Sequence, residues 1–128
     1  MKYQNVLIID DDQDDREIFL EAIKDVSSLI NCTTFHDGEL ALGQLMEKAI
    51  APDAIFLDLN MPRMTGMEFL ERARKTDALK TTPIIIYSTS SYIEASRSQL
   101  EEASGYICKP DNYPDLVAIL KELILTPA

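Results

Sequence analysis

Five polar residues in this chain stand at the ends of short apolar runs. Asp10 and Asp11 follow VLII, Asp58 lies near the end of AIFLDL, Ser88 follows IIIY and Lys109 follows GYIC. Gathered in one place, three carboxylates repel one another and ionise together cheaply only around a cation. Mg²⁺ takes oxygen ligands, keeps several waters and is held by one or two carboxylates with a phosphate oxygen, which suits Asp10, Asp11 and Asp58. A carboxylate can also attack a phosphoryl group and carry it as an aspartyl-phosphate. An ammonium and a hydroxyl then stabilise the other phosphoryl oxygens. Asp58 supplies such a nucleophile, Lys109 the ammonium and Ser88 the hydroxyl. Taken alone, Asp58 reads equally well as a loop cap; beside these neighbours, a plain surface lysine is the lesser reading of Lys109.

The surrounding elements decide whether these groups can meet. From Ala54 to Gly66 the chain reads AIFLDLNMPRMTG: a strand buried on both faces, then a loop marked by Asn60, Pro62 and Gly66. Apolar periodicity resumes at Met67, Phe69 and Leu70 as a helix begins. Residues 3–9 form an earlier β-prone block, followed by DDDQDD, which holds five aspartates in six positions. Ile18, Phe19, Ala22, Ile23 and Val26 then recur at helical spacing. The acids at that helix's start suit the positive end of its dipole. Residues 32–35 form a weaker strand closed by Asp37 and Gly38. Leu40, Leu42, Leu45, Met46 and Ala49 make an amphipathic helix ending near Ala51 and Pro52. IIIY forms a buried strand, residues 92–103 a more polar helix with Ile93 and Leu100 inward, and residues 105–108 a short strand. Pro114 opens a last helix carrying Leu116, Val117, Leu120, Leu123 and Ile124.

Strand and helix thus alternate five times, which predicts a parallel α/β sheet with helices on both faces, a doubly wound three-layer domain. In a parallel sheet the strands' C-terminal ends share one edge, where such folds hold ligands. Asp10, Asp11, Asp58, Ser88 and Lys109 would converge there.

The 128 residues make one domain, residues 1–128. A net charge of −10 argues against nucleic acid as a direct partner. No apolar run reaches the roughly 20 residues that span a bilayer, and MKYQNVLIID is no signal peptide. The expected setting is cytoplasmic. Two cysteines, Cys32 and Cys108, lack metal-ligand spacing. The one histidine, His36, is expected at the surface or on an edge strand. Thr126, Pro127 and Ala128 look like a frayed end.

In order along the chain, the acidic pair, Asp58 in DLNMPRMTG, Ser88 after IIIY, and Lys109 with Pro110 resemble the response-regulator receiver domain of two-component signalling. The likeness covers nearly the whole chain. It implies a flavodoxin-like fold with strand order 2-1-3-4-5 and Mg²⁺ as cofactor. Asp58 would be the phosphoacceptor, taking its phosphoryl group from a histidine kinase or histidine phosphotransfer protein. Asp11 would bind the metal directly, Asp10 through water, and the backbone carbonyl of Asn60 would be a further ligand. Lys109 would contact the phosphoryl oxygens, and Ser88 would swing toward them with Tyr106 rotating inward behind it. The Lys109–Pro110 peptide would be cis. A kinase would dock on the first helix near Arg16 to Leu20. The output, to a downstream protein target, would leave through the face from Tyr92 to Leu125, or the phosphate would pass on in a relay. Such a domain catalyses only its own phosphorylation and dephosphorylation.

That strand order would set Cys32 and Cys108 on opposite edges, four spacings of about 4.8 Å apart. A disulfide needs Cα atoms within about 7 Å, so no internal bridge forms, and Cys108 is expected in the core. Asp12, Asp14 and Asp15 read as a solvated helix start, or alternatively as tuning groups near the metal. Tyr106 reads as an edge-strand aromatic or as the switch, and Met61, Met64 and Met67 as gap fillers. Thr89 departs from the family's usual small residue, and its branched side chain would gate access to the phosphoryl group. No output domain is expected after Ile124. Two rivals share parts of the pattern. A haloacid-dehalogenase-type phosphatase needs an acid two residues after the nucleophile, where Asn60 stands. A flavodoxin-type flavin carrier needs a Ser, Thr and Gly-rich phosphate loop, where this chain has aspartates.

Overall fold

The computed structural model describes residues 2–126; the expected frayed end at Pro127 and Ala128 lies outside them. Five strands, β1 (Asn5–Ile9), β2 (Asn31–Phe35), β3 (Ala54–Leu57), β4 (Ile84–Ser88) and β5 (Gly105–Cys108), alternate with α1 (Gln13–Val26), α2 (Gly38–Met46), α3 (Gly66–Arg74), α4 (Ser90–Ser96) and α5 (Tyr113–Leu125). The strands form one sheet in the order β2-β1-β3-β4-β5, and every pairing is parallel. This is the flavodoxin-like order that the receiver-domain resemblance implies.

Strand alternation sorts the core into two layers. Leu7, Ile9, Ile55, Leu57, Ile84 and Ile86 pack with Leu42, Leu45, Phe69 and Leu70 of α2 and α3. Val6, Ile8, Phe56, Ile85 and Tyr87 pack with Phe19, Ile23, Leu116 and Leu120 of α1 and α5. Both faces are covered, which explains why the central strands read as unbroken apolar runs. Short polar side chains start the longer helices. Asp12 caps α1, Asp37 caps α2, Thr65 and Glu68 form a capping box on α3, and Asn112 caps α5 ahead of Pro114.

Several expectations need correction. The helix expected over residues 92–103 runs only from Ser90 to Ser96 and passes into a 3-10 turn, Arg97–Gln99. Serines are poor helix interiors, and Thr89 at its N-cap makes no side-chain capping bond. The second helix stops at Met46, and Lys48 turns the chain away with φ 59°. Leu40 and Met46 are exposed because Ala41, Leu42 and Leu45 already fill the buried stripe. Ile18, counted with the inward positions of α1, is also exposed. Cys108 is exposed rather than buried, since on edge strand β5 only alternate residues meet a covered layer, and Ile107 takes that place. Cys32 and Cys108 do lie on opposite edge strands, and both are free thiols. His36 is exposed at the end of β2. The Lys109–Pro110 peptide is trans, as are all peptide bonds among the described residues. Trans is the lower-energy form for an X-Pro bond, and Lys109 reaches its carboxylate partners with it.

Candidate functional site

Sheet register brings the polar residues together. Ile9 pairs with Leu57, and the Asp58 amide donates to the Ile9 carbonyl at 3.0 Å, so Asp10 and Asp58 leave adjacent strands side by side. Ser88 pairs with Cys108, and the Lys109 amide donates to the Ser88 carbonyl at 2.8 Å. Four strand ends, those of β1, β3, β4 and β5, therefore deliver two acids, a hydroxyl and an ammonium to one rim, and Asp11 follows in the β1–α1 turn. The rim opens into a cleft of about 660 Å³ lined by Asp11, Asp58, Asn60, Ser88, Thr89 and Lys109, among others.

Carboxylate oxygens of Asp10, Asp11 and Asp58 all lie within 4.8 Å of one another. Asp10 and Asp58 are buried, whereas Asp11 opens to solvent. Burial pushes the Asp10 carboxyl up to about 6; the Asp58 charge also raises it, against the hydrogen bonds from Lys109 and the Asp12 amide. Such crowding of hard oxygen donors on a pocket open at one side fits a divalent cation that keeps waters. Asn60 is exposed, and its amide donates to Asp58 Oδ1 at 3.4 Å.

Ser88 Oγ donates to Asp58 Oδ1 at 2.9 Å, and the serine is 1% exposed. Lys109 Nζ lies 3.7 Å from Asp58 Oδ2, at the same rim as the three acids. Its shorter bonds, both 2.8 Å, go to Asp10 Oδ2 and Asp15 Oδ2. Burial alone would lower the Lys109 ammonium's pKa, but the hydrogen bonds to Asp10 and Asp15 outweigh it, so the group is held charged above the ordinary lysine range. Thr89 is exposed at the cleft mouth. Tyr106 faces outward, 46% exposed, with the Arg97 guanidinium 5.8 Å from its ring centroid.

Three features escaped the sequence reading. Asp15 is not merely solvated but bonds to Lys109; its helical spacing from Asp11 and Asp12, four and three residues on, was the available signal. Asp12, by contrast, is an N-cap that accepts from the Asp15 amide, and Asp14 is exposed. Tyr87 sets its ring 5.4 Å from the Lys109 ammonium, on the face that strand alternation gives it with Ile85. Gly66 is more than loop punctuation. A Cβ there would run into the Asp58 carbonyl and come within 2.7 Å of Leu59 Cα, so α3 can start against the phosphoacceptor candidate only because the residue is glycine. Arg16 reaches back as well, donating to the Asp10 carbonyl at 2.7 Å.

Residues 6–121 match the family model described as the response regulator receiver domain. The chain is 33% identical over 110 residues to the chemotaxis protein CheY of Pseudomonas aeruginosa, covering 82% of this chain and 83% of that protein. It is 29% identical over 120 residues to the DNA-binding transcriptional regulator NtrC of Escherichia coli K12, covering 93% of this chain but only 24% of NtrC. The chain thus spans about a quarter of the length of that relative. Among solved structures, the phosphorylated cyanobacterial phytochrome response regulator RcpA superposes with a TM-score of 0.84 at 28% identity, over 98% of this chain and 96% of RcpA.

Proposed function

This chain belongs to the response-regulator receiver domain family, and from that premise we propose that Asp58 is the residue on which it accepts a phosphoryl group. As a receiver domain it is a phosphoacceptor of two-component signal transduction. The observation that carries the assignment of Asp58 is its company: among the described residues, Asp58 alone contacts the Ser88 hydroxyl, approaches the Lys109 ammonium and shares the three-acid cluster.

In the step we propose, one Asp58 carboxylate oxygen forms a bond to phosphorus. The bond from phosphorus to the donor's imidazole nitrogen breaks, and its electron pair leaves on that nitrogen. Asp10, Asp11, Asp58 and the backbone carbonyl of Asn60 would hold Mg²⁺. Bound there, the cation would supply charge neutralisation for the transferred oxygens. Lys109 offers its ammonium to those oxygens, and Ser88 its hydroxyl. The crowded carboxylates also disfavour the rival readings. A flavin phosphate would meet like charge, and Asn60 cannot serve as the second acid of a phosphatase.

The donor would be a histidine kinase or a histidine phosphotransfer protein docking on α1, where exposed Ile18 stands near half-buried Arg16. The added negative charge would shift the population of Ser88 and Tyr106 conformers. That shift would be read by a protein target on the face from Tyr92 to Leu125, or the phosphate would be relayed onward. Its chemistry would extend only to its own phosphorylation and dephosphorylation, in the cytoplasm. No helix among the described residues is long and apolar enough to cross a membrane.

Acetyl phosphate with Mg²⁺, read by mass spectrometry, tests the assignment. Wild type should gain one phosphoryl mass and Asp58→Asn none. Labelling that persists in Asp58→Asn, or that needs no divalent cation, would overturn it.

A further inference from the structure

Lys109 sits among more acids than its role at Asp58 requires. Its ammonium makes 2.8 Å bonds to Asp10 and Asp15 and stands 3.7 Å from Asp58. Asp10 is fully buried, so its bond is fixed by the core, whereas the Asp15 side chain is 35% exposed. Asp15 comes from the first turn of α1, 94 residues before the lysine, and capping by Asp12 fixes that turn. Beneath the ammonium lies the Tyr87 ring, 5.4 Å away. Its face stays attractive as the cation shifts across it.

We infer, on the reading that Asp58 takes the phosphoryl group, that Asp15 is a positioning residue: it competes with the phosphoryl oxygens for Lys109 and so slows phosphoryl acceptance. An ammonium in hydrogen-bond contact with Asp15 is drawn toward α1 and away from Asp58. The transfer places new negative oxygens beside Asp58, and the lysine can follow them only by giving up the Asp15 bond. Asp15 is the partner that yields, because its part-exposed carboxylate regains water when released.

The test measures initial labelling rates with acetyl phosphate at saturating Mg²⁺, in the full chain. In this reaction Asp58 bonds to phosphorus while the phosphorus–oxygen bond to acetate breaks, its electron pair leaving on acetate. Asp15→Asn should label about fivefold faster, as expected for loss of one half-open charge pair. Asp15→Glu, which can regain the lysine bond, should label at close to the wild-type rate. Asp14→Asn removes the same charge from the same turn, but Asp14 is no partner of Lys109 among the described residues. It should also match wild type. In a Lys109→Gln background the Asp15→Asn acceleration should vanish. Equal rates for Asp15→Asn and wild type would overturn the inference. So would acceleration by Asp14→Asn, or acceleration that survives without Lys109. If the Lys109→Gln background labels too slowly to compare, the Asp14→Asn and Asp15→Glu arms decide. Failure of the phosphoacceptor reading looks different: wild type then stays unlabelled, or carries its label away from Asp58.

Discussion

The Ser88 hydroxyl donates a 2.9 Å hydrogen bond to Asp58 Oδ1, and both residues are buried at the ends of neighbouring strands. The hydroxyl that would later meet the phosphoryl group therefore already engages the proposed acceptor carboxylate. In Ser88→Ala the proposed nucleophile Asp58, the acid cluster and Lys109 all remain. Acetyl phosphate labelling should fall by about tenfold, the scale of one hydrogen bond to a charged group. The response of the Tyr106 ring to phosphorylation, read by NMR, should disappear. A Tyr106 signal that still shifts on labelling would show that the two residues are not linked through Ser88.

Crowding of acids makes a prediction about stability and metal together. Asp10 is buried beside Asp58, and its ionised form is costly there. Asp10→Asn should raise metal-free stability at neutral pH by about 1–2 kcal/mol, since a neutral isostere relieves repulsion while Asp15 still holds Lys109. The same change should weaken Mg²⁺ binding by about tenfold. Chemical denaturation with and without Mg²⁺ checks both halves; a destabilised, tightly binding variant would contradict them.

Thr89 stands exposed at the cleft mouth, and its hydroxyl lies 3.4 Å from that of Ser91. Shortening it in Thr89→Ala should speed labelling by acetyl phosphate, or hydrolysis of the aspartyl-phosphate, by a few fold, through easier access. If both rates match wild type, the side chain gates nothing.

At Gly66, any side chain meets backbone. The contacts that a Cβ would make are to the Asp58 carbonyl and to Leu59 Cα, neither of which can rotate away. Gly66→Ala should lose about 2 kcal/mol or more in urea unfolding, and the amide resonance of Asp58 should move. Wild-type stability would mean that α3 slides freely, against the observed packing.

Asp37 gives the pH dependence. Amide hydrogen bonds from Leu40 and Glu39 at the start of α2, with the Arg63 guanidinium 3.2 Å away, hold its carboxyl below the usual range despite the opposing effect of burial. Because the folded value lies below the unfolded one, this stabilisation is present above about pH 4, the unfolded value, and is lost as pH falls through the depressed folded value. Asp37→Ala should cost about 1 kcal/mol at pH 7, and the difference from wild type should shrink in acid. A difference that is constant down to strongly acidic pH would remove the charge from this explanation.

The sequence alone determined the layers and the rim. Unbroken apolar runs such as VLII and IIIY mark strands buried on both faces, and a polar residue directly after such a run must sit at a sheet end. Parallel connection then forces those ends together, so Asp10, Asp58, Ser88 and Lys109 were legible as one site before any coordinate. Tertiary structure decided what lies across from each group. Helical periodicity puts Asp15 on a face but cannot say that β5 will present Lys109 to it 94 residues later. Alternation assigns Tyr87 to a layer without revealing the ammonium above its ring. Nor does local pattern reveal that β5 is too sparsely covered to bury Cys108, or that α2 has room for Leu42 and Leu45 but not for Leu40 and Met46. Local sequence carries backbone preference and the direction of burial; distances between distant segments arise only when the two faces of the sheet are packed.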